Sequence, residues 1–306
     1  MQAATIHHLG PDALVQIAPV TPPVPAADEV VVRIEAAGVN PLDTKIIAGY
    51  MQQVMPVELP YIPGTDFSGV VTATGPLVTA VKVGNRVAGR SSPGAGGAFA
   101  HTIVSRTDAL VLMPDEMSFE QAAALPTAFG TARQALFDVG NLKAGQRVLI
   151  HAGAGGVGSF AIQLARQAGA HVSATASAGN LGLLRELGAH DAIDYRAEDF
   201  TRLPAFDVIL DTVGGDTTER SWKVLREGGT LASLIDFAIA PRDGRHGAFV
   251  FFAEATQALH EAVGLFRAGK LDIIIDSLYP FEDAAAALGK VASGHARGKV
   301  VIRTAR

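Results

Sequence analysis

The chain contains no cysteine. That absence excludes disulfides, a thiolate nucleophile and every Cys-ligated zinc site in one step. Long apolar runs are missing too: no window of about 18 uninterrupted apolar residues occurs, so a membrane span is not expected. Positive charge is not in excess. Lys and Arg number 25 against 30 Asp and Glu, the net charge is −5, and no basic arm or stripe stands out. Nucleic acid is therefore not an expected partner. The opening Met1-Gln2-Ala3-Ala4-Thr5 lacks a charged segment followed by an apolar block, which points to a cytoplasmic protein. What is present is 306 residues, 48% of them hydrophobic. That is enough for two packed units with a sizeable core.

The first part of the chain reads as short β-type runs broken by Gly and Pro, such as Val30–Ala36, Gly69–Ala73 and Phe99–Val104. Pro19, Pro22, Pro23 and Pro25 mark a turn or edge segment between the first strands. Mostly β structure with many turns suggests a compact barrel. Ser118, with Gln121 three places on, signals a helix start. A strand–helix rhythm then begins: strands at Arg147–His151, His171–Thr175, Ala192–Tyr195, Asp207–Asp211 and Gly229–Leu234, and helices at Val157–Ala168 and Leu181–Leu187. Such alternation predicts a doubly wound parallel sheet, with Phe249–Phe252 as its last strand. The tail predicts a helix over Glu254–Ala268, a strand over Ile273–Leu278, a helix over Glu282–Ser293 and a final strand over Lys299–Arg303. It is expected to return to the first domain, because a six-stranded nucleotide sheet is complete without it.

The strongest local signal is the apolar strand Arg147-Val-Leu-Ile-His151 followed by Ala152-Gly-Ala-Gly-Gly-Val-Gly158. Gly153, Gly155 and Gly158 have G-x-G-x-x-G spacing. Gly153 is expected to permit the turn out of the strand, Gly155 to admit a pyrophosphate to the backbone, and Gly158 to let the helix pack closely. Gly156 and Val157 open the helix, whose free N–H groups and dipole favour an anion. A site for NAD usually has Asp or Glu at the end of the second strand. Here Ala174-Thr-Ala-Ser-Ala-Gly-Asn180 carries no carboxylate. Ser177 and Asn180 can donate to a 2′-phosphate, although capping of the next helix would use the same side chains, and Tyr195 can add its hydroxyl. The expected cofactor is NADPH, with a modest preference because no Arg follows that strand directly.

Taken together, the chain resembles the medium-chain dehydrogenase/reductase superfamily, and within it the zinc-independent quinone oxidoreductase (zeta-crystallin-like) branch. The resemblance spans essentially the whole chain. It rests on Gly38-Val-Asn-Pro-Leu-Asp43, Pro63-Gly-Thr-Asp-Phe-Ser-Gly-Val-Val71, Gly84-Asn-Arg-Val87, Ala122-Ala-Ala-Leu-Pro-Thr-Ala-Phe-Gly-Thr131, the His151–Gly158 turn, Leu187-Gly-Ala189 and Gly294-His-Ala-Arg-Gly-Lys-Val300, in the family's order. It implies an α/β fold: a GroES-like, mostly-β barrel catalytic domain at residues 1–122, completed by 254–306, and a Rossmann NADP-binding domain at 123–253. Zinc-dependent relatives carry Cys where Asn40 stands, His-Glu where Thr65-Asp66 stand, a further ligand near Ala123 and a proton-relay Ser or Thr at Leu42. No metal is therefore expected, and His7-His8 reads as a surface or strand-end pair.

The activity implied is zinc-independent, NADPH-dependent reduction of quinones or α,β-unsaturated carbonyl compounds, with a non-catalytic crystallin-like NADPH-binding protein as the alternative and zinc-type alcohol oxidation as a remoter one. The resemblance makes Asn40 an orienting donor near the nicotinamide and substrate carbonyl. Asp43 belongs to the same motif, as a catalytic group or as an acceptor for turn N–H groups. Tyr50 matches a family Tyr displaced by one position and is a candidate proton donor. Lys45 stands where some quinone reductases have Tyr. Thr127, Val213, Ser233 and Leu234 match cofactor contacts. Lys299 matches a basic residue near the cofactor, or is a solvent-exposed strand end. The edge strand 249–252 is where this family pairs into a homodimer.

Overall fold

The computed structural model describes residues 1–304. The chain divides into two units: Met1–Thr127 with the chain from Ala253 onward, and Ala128–Phe252. In chain order the elements begin β1 (Gln2–Thr5), β2 (Gln16–Pro19), β3 (Glu29–Val39), α1 (Pro41–Ile47), β4 (Asp66–Thr74), β5 (Arg86–Arg90), β6 (Thr102–Arg106), β7 (Leu110–Leu112), α2 (Phe119–Ala123) and α3 (Pro126–Arg133). They continue with β8 (Arg147–Ile150), α4 (Gly156–Gln167), β9 (His171–Ala176), α5 (Leu181–Glu186), β10 (Asp191–Asp194), β11 (Phe206–Asp211), α6 (Asp216–Trp222), β12 (Leu225–Ser233) and β13 (His246–Phe249). The tail holds α7 (Thr256–Arg267), β14 (Ile275–Pro280), α8 (Ala284–Ala292) and β15 (Lys299–Arg303).

The first unit is built on a seven-stranded sheet in the order β14-β15-β3-β4-β5-β7, with β6 also paired to β3. The long β3 is its spine. It runs beyond the expected Val30–Ala36 because register shifts between Val31 and Val32 and between Ile34 and Ala36 bend it, so that β4, β6 and β15 all find partners along it. The core gathers Val30, Val32, Ile34, Phe67 and Phe99 with Phe281, Ala284 and Leu288 from the tail. β15 pairs antiparallel with β3, which makes the tail a structural part of the first unit. Ser118 starts α2 as expected: its backbone N–H donates to Gln121 Oε1 at 2.9 Å, and its hydroxyl accepts from Gln121 N at 3.1 Å.

The second unit is a six-stranded sheet in the order β10-β9-β8-β11-β12-β13, every pairing parallel. Strand order reverses between β8 and β11, the point at which doubly wound sheets bind ligands beyond the carboxyl ends of their strands. The edge strand corrects one expectation. It covers His246–Phe249 rather than 249–252. Of the expected run only Phe249 belongs to it; Val250 N still donates to Ser233 O at 2.9 Å, and a Cβ on Gly130 would lie 1.9 Å from Phe252 Cζ. The apolar run has the composition of a strand, but its last side chain is used for packing. Among the described residues no helix is long and apolar enough to cross a membrane.

Candidate active site

Sheet register assembles a buried polar cluster in the first unit. Val300 pairs with Val39, Gly38 with Asp66, and Asp66 with Arg90. Four neighbouring strands, β15, β3, β4 and β5, therefore bring Lys299, Asn40, Asp66 and Arg90 to one end of the sheet. The strands can crowd α2 here because residue 38 is glycine: a Cβ would sit 2.2 Å from the Ala123 carbonyl oxygen.

Asn40 is 3% exposed and both ends of its amide are engaged. Nδ2 donates to Asp66 Oδ2 at 3.0 Å, and Oδ1 accepts from the Lys299 ammonium, which also donates to Val39 O at 2.8 Å. Lys299 is thus a buried cation rather than an exposed strand end. Burial lowers its pKa, against the pull of Asp66 and Asp43. Asp66 is the hub. Its Oδ1 accepts from Thr127 Oγ1 at 2.6 Å and Thr65 Oγ1 at 3.2 Å, its Oδ2 also accepts from Thr127 N at 3.1 Å, and Arg90 Nε lies 3.9 Å away. Arg90 donates to Thr127 Oγ1 at 2.9 Å and to Ala253 O at 2.7 Å.

Asp43, at 1% exposure, accepts the Asn40 backbone N–H on Oδ2 at 2.8 Å, while its Oδ1 has no hydrogen-bond partner. Burial, opposed by that hydrogen bond and reinforced by Asp66, pushes its pKa up to about 7. Tyr50 lies outside the cluster's buried set, 77% exposed. Lys45 is half-buried on α1, its pKa lowered by desolvation. Asp66 and Arg90, the two residues that tie the cluster together, were not among the expected site residues.

In the second unit the glycine turn follows β8 directly. Ala152, not a glycine, takes the left-handed conformation of the turn, with φ 50°. Gly153 is needed for packing instead: a Cβ there would meet Ala174 Cβ at 3.0 Å and Ile162 Cδ1 at 3.1 Å. Gly158 is pressed against the turn, since its Cβ would lie 2.4 Å from Ala152 O. Gly155, at the start of α4, is open: a Cβ would find only Ala152 O, at 3.3 Å. With no side chain at Gly155 to cap it, α4 leaves the N–H groups of Gly156, Val157 and Gly158 for an anionic ligand. The residues present therefore fit a dinucleotide pyrophosphate.

The turn is braced by a buried histidine that the expectations did not include. Ser221 Oγ donates to Thr217 O at 2.6 Å, so it accepts from His151 Nε2 at 3.0 Å. His151 Nδ1 lies 3.2 Å from Thr175 Oγ1, which also accepts from Ala152 N at 3.3 Å. Burial holds the imidazole neutral, its pKa pushed down to about 4.

At the carboxyl ends of β9 and β10, Asp194 pairs with Ala176, so Ser177 and Tyr195 leave the sheet side by side. Asn180 Nδ2 donates to Ser177 Oγ at 3.2 Å, and neither side chain caps the following helices. Arg196 donates to the Tyr195 hydroxyl at 3.2 Å, placing a cation here that the absence of Arg after β9 had not suggested. Val213 is half-exposed beyond β11 and Leu234 half-buried beyond β12. Ser233 is fully buried, its hydroxyl accepting from Ile235 N at 3.2 Å and Asp236 N at 3.0 Å, so its side chain serves the turn.

Comparison with known proteins accords with this architecture. Residues 26–115 match the family model for an alcohol dehydrogenase GroES-like domain, and residues 187–302 that for a zinc-binding dehydrogenase. A chloroplastic quinone-oxidoreductase homolog of Spinacia oleracea is 34% identical, the match covering 96% of this chain and 94% of that protein. A 2-methylene-furan-3-one reductase of Solanum lycopersicum is 37% identical over 90% of this chain and 71% of its own length. The solved structure of Escherichia coli quinone oxidoreductase complexed with NADPH superposes with a TM-score of 0.89 at 28% identity, covering 99% of this chain and 100% of that one.

Proposed function

Because the chain belongs to the medium-chain dehydrogenase/reductase superfamily, in its quinone oxidoreductase branch, and is an oxidoreductase with a nicotinamide cofactor, we propose that it is a zinc-independent, NADPH-dependent reductase of quinones or α,β-unsaturated carbonyl compounds. The observation that carries this reading is the cluster around Asp66. A zinc ion does not fit there. The Asn40 amide is engaged at both ends, the Thr65 hydroxyl is turned to Asp66, both Asp66 oxygens accept from donors, and Lys299 and Arg90 add two positive charges. Among the described residues no group of three or more His, Asp or Glu side chains could hold a metal.

NADPH, when bound, supplies hydride to the substrate carbon. The work of the chain is then to steady negative charge on the substrate oxygen. Asn40 Nδ2 keeps one N–H beyond the one given to Asp66, and a donor of that kind stabilises an enolate or hydroquinone anion. Asp43 holds the Asn40 main chain in place. Spreading the charge through a conjugated system is what makes a metal unnecessary, which favours quinones and enones over simple alcohols. The preference for NADPH is supported by Ser177, Asn180, Tyr195 and Arg196, which offer donors and a positive charge to a 2′-phosphate where an NAD site would place a carboxylate. A homodimer through β13 is part of the same reading, supported by its position at the sheet edge with Phe237 stacked on Phe249 at 4.2 Å and Phe251 exposed.

The deciding experiment is NADPH oxidation against a panel of quinones, enones and enoyl thioesters, with zinc content measured on the same sample. Turnover of a quinone or enone by zinc-free protein, undiminished by a chelator, is expected. Tight NADPH binding without oxidation by any acceptor would overturn the proposal, as would activity that tracks bound zinc.

A further inference from the structure

The Asn40 side chain poses a question of direction. The oxygen and nitrogen ends of a carboxamide are nearly the same size, so packing alone does not decide which end faces where. Charge decides it here. One end meets the Lys299 ammonium, which can only donate; the other meets the Asp66 carboxylate, which can only accept. Reversing the amide would set donor against donor and acceptor against acceptor among buried side chains. The remaining N–H on Nδ2, for which the described residues provide no acceptor, therefore has a fixed direction.

Lys299 is itself held in place. It is 4% exposed, β15 registers it beside Asn40, and its second hydrogen bond, to Val39 O, anchors it to the last residue of β3. Both contacts are to atoms of the first unit, and both support the side chain expected to face the substrate oxygen. We propose that Lys299 is a positioning residue for the reduction: it sets the orientation of the Asn40 amide so that the free N–H is presented to the substrate oxygen, and it is not a cofactor ligand. The proposal rests on the reductase reading only for its kinetic part; the effect on Asn40 holds in the protein without cofactor.

The test compares Lys299→Met, which keeps the length of the stem and removes the donors, with Lys299→Gln, which keeps an uncharged donor, and places both beside Asn40→Ala and the Lys299→Met/Asn40→Ala double variant. NADPH affinity is read by fluorescence titration, kcat and KM with 1,4-naphthoquinone and a simple enone, and hydrogen exchange of the Asn40 side-chain amide by NMR on cofactor-free protein, its signals assigned by their loss in Asn40→Ala. Lys299→Met is expected to lower kcat at least tenfold with NADPH affinity within twofold, Lys299→Gln to recover most of that loss, and the double variant to be no slower than Asn40→Ala alone. The Asn40 amide is expected to lose its exchange protection in Lys299→Met and largely keep it in Lys299→Gln. Unchanged kcat and protection, multiplying kinetic losses in the double variant, or a tenfold loss of NADPH affinity with kcat retained would each overturn the proposal. If wild type reduces no acceptor, the reductase reading fails by itself and the exchange measurement still decides the role of Lys299. If Lys299→Met does not fold, Lys299→Gln carries the comparison: exchange and kcat both indistinguishable from wild type would then show that the charge is dispensable and overturn the proposal.

Discussion

Asn40 and Asp66, 26 residues apart in the chain, are joined by a buried hydrogen bond of 3.0 Å. Through it the turn between β3 and α1 is locked to the first residue of β4. Asp66 also faces Arg90 and is linked through Asn40 to Lys299, and its charge acts on both cations. Replacing Asp66 by Asn leaves two buried cations undercompensated. The expected loss is about 3–5 kcal/mol of unfolding free energy, together with nearly all turnover, measured by urea unfolding and NADPH oxidation. A loss below about 1 kcal/mol would mean that the cluster does not depend on this charge.

Gly155 and Gly158 should respond differently to the same substitution. Gly158→Ala drives a Cβ to 2.4 Å from Ala152 O, so the turn must move and thermal stability falls. Gly155→Ala meets only one atom, at 3.3 Å, so stability is nearly kept. The methyl nevertheless occupies the space a pyrophosphate needs, and NADPH affinity should drop at least about tenfold. Titration calorimetry beside thermal melts separates the two outcomes. Equal NADPH affinity in Gly155→Ala and wild type would place the pyrophosphate elsewhere.

Two buried groups give stability opposite slopes with pH. The Asp43 pKa is raised from 3.8 to about 7, so its contribution is present in acid and is lost as pH rises through that interval. The His151 pKa is lowered from 6.5 to about 4, so its contribution is present above 6.5 and is lost as pH falls towards 4. Relative to wild type, Asp43→Asn should therefore gain melting temperature between pH 4 and 7 as pH rises. His151→Gln should gain as pH falls through 6.5. Parallel melting curves across this range for either variant and wild type would contradict the assignment.

Cofactor choice is expected to follow Arg196. Removing its guanidinium with Arg196→Ala should weaken NADPH binding about tenfold, the size of one charge-assisted hydrogen bond, and leave NADH binding unaltered. Ser177→Asp should go further by repelling the 2′-phosphate. Equal losses for both nucleotides would show that these side chains do not discriminate between them.

Tyr50 is well exposed, so its side chain stands in solvent. Tyr50→Phe should keep kcat within about twofold, because solvent supplies a proton equally well. A tenfold fall in kcat with unchanged KM would instead make this hydroxyl the acid.

The parts of the molecule most legible in its sequence are those set by local spacing. The β8 strand, the glycine turn and α4 follow one another within some twenty residues, and each glycine can be reasoned about in place. Even there, the left-handed residue is Ala152, which no glycine rule would select. The polar cluster was only half legible. Asn40, Asp43, Thr127 and Lys299 were marked by resemblance, yet Lys299 could equally have been an exposed strand end. Asp66 stands in a family block, where it bears only on the absence of zinc, and Arg90 carries no local signal; what joins them is cross-strand register, which local spacing does not record. Phe249–Phe252 misled for a related reason: apolar composition does not distinguish a side chain that extends a sheet from one that fills the space above Gly130.

The hydrogen bond between Lys299 and Asn40 spans 259 residues of sequence, and this sets an order of events during synthesis. The second unit, Ala128–Phe252, is continuous in the chain and can close on its own contacts while translation proceeds. The first unit cannot. Until β15 leaves the ribosome, one side of β3 near Asn40 has no strand to pair with, and the amide has no ammonium to direct it. The dinucleotide turn can therefore form before the polar cluster around Asn40 exists, and that cluster is completed only once β15 has been made.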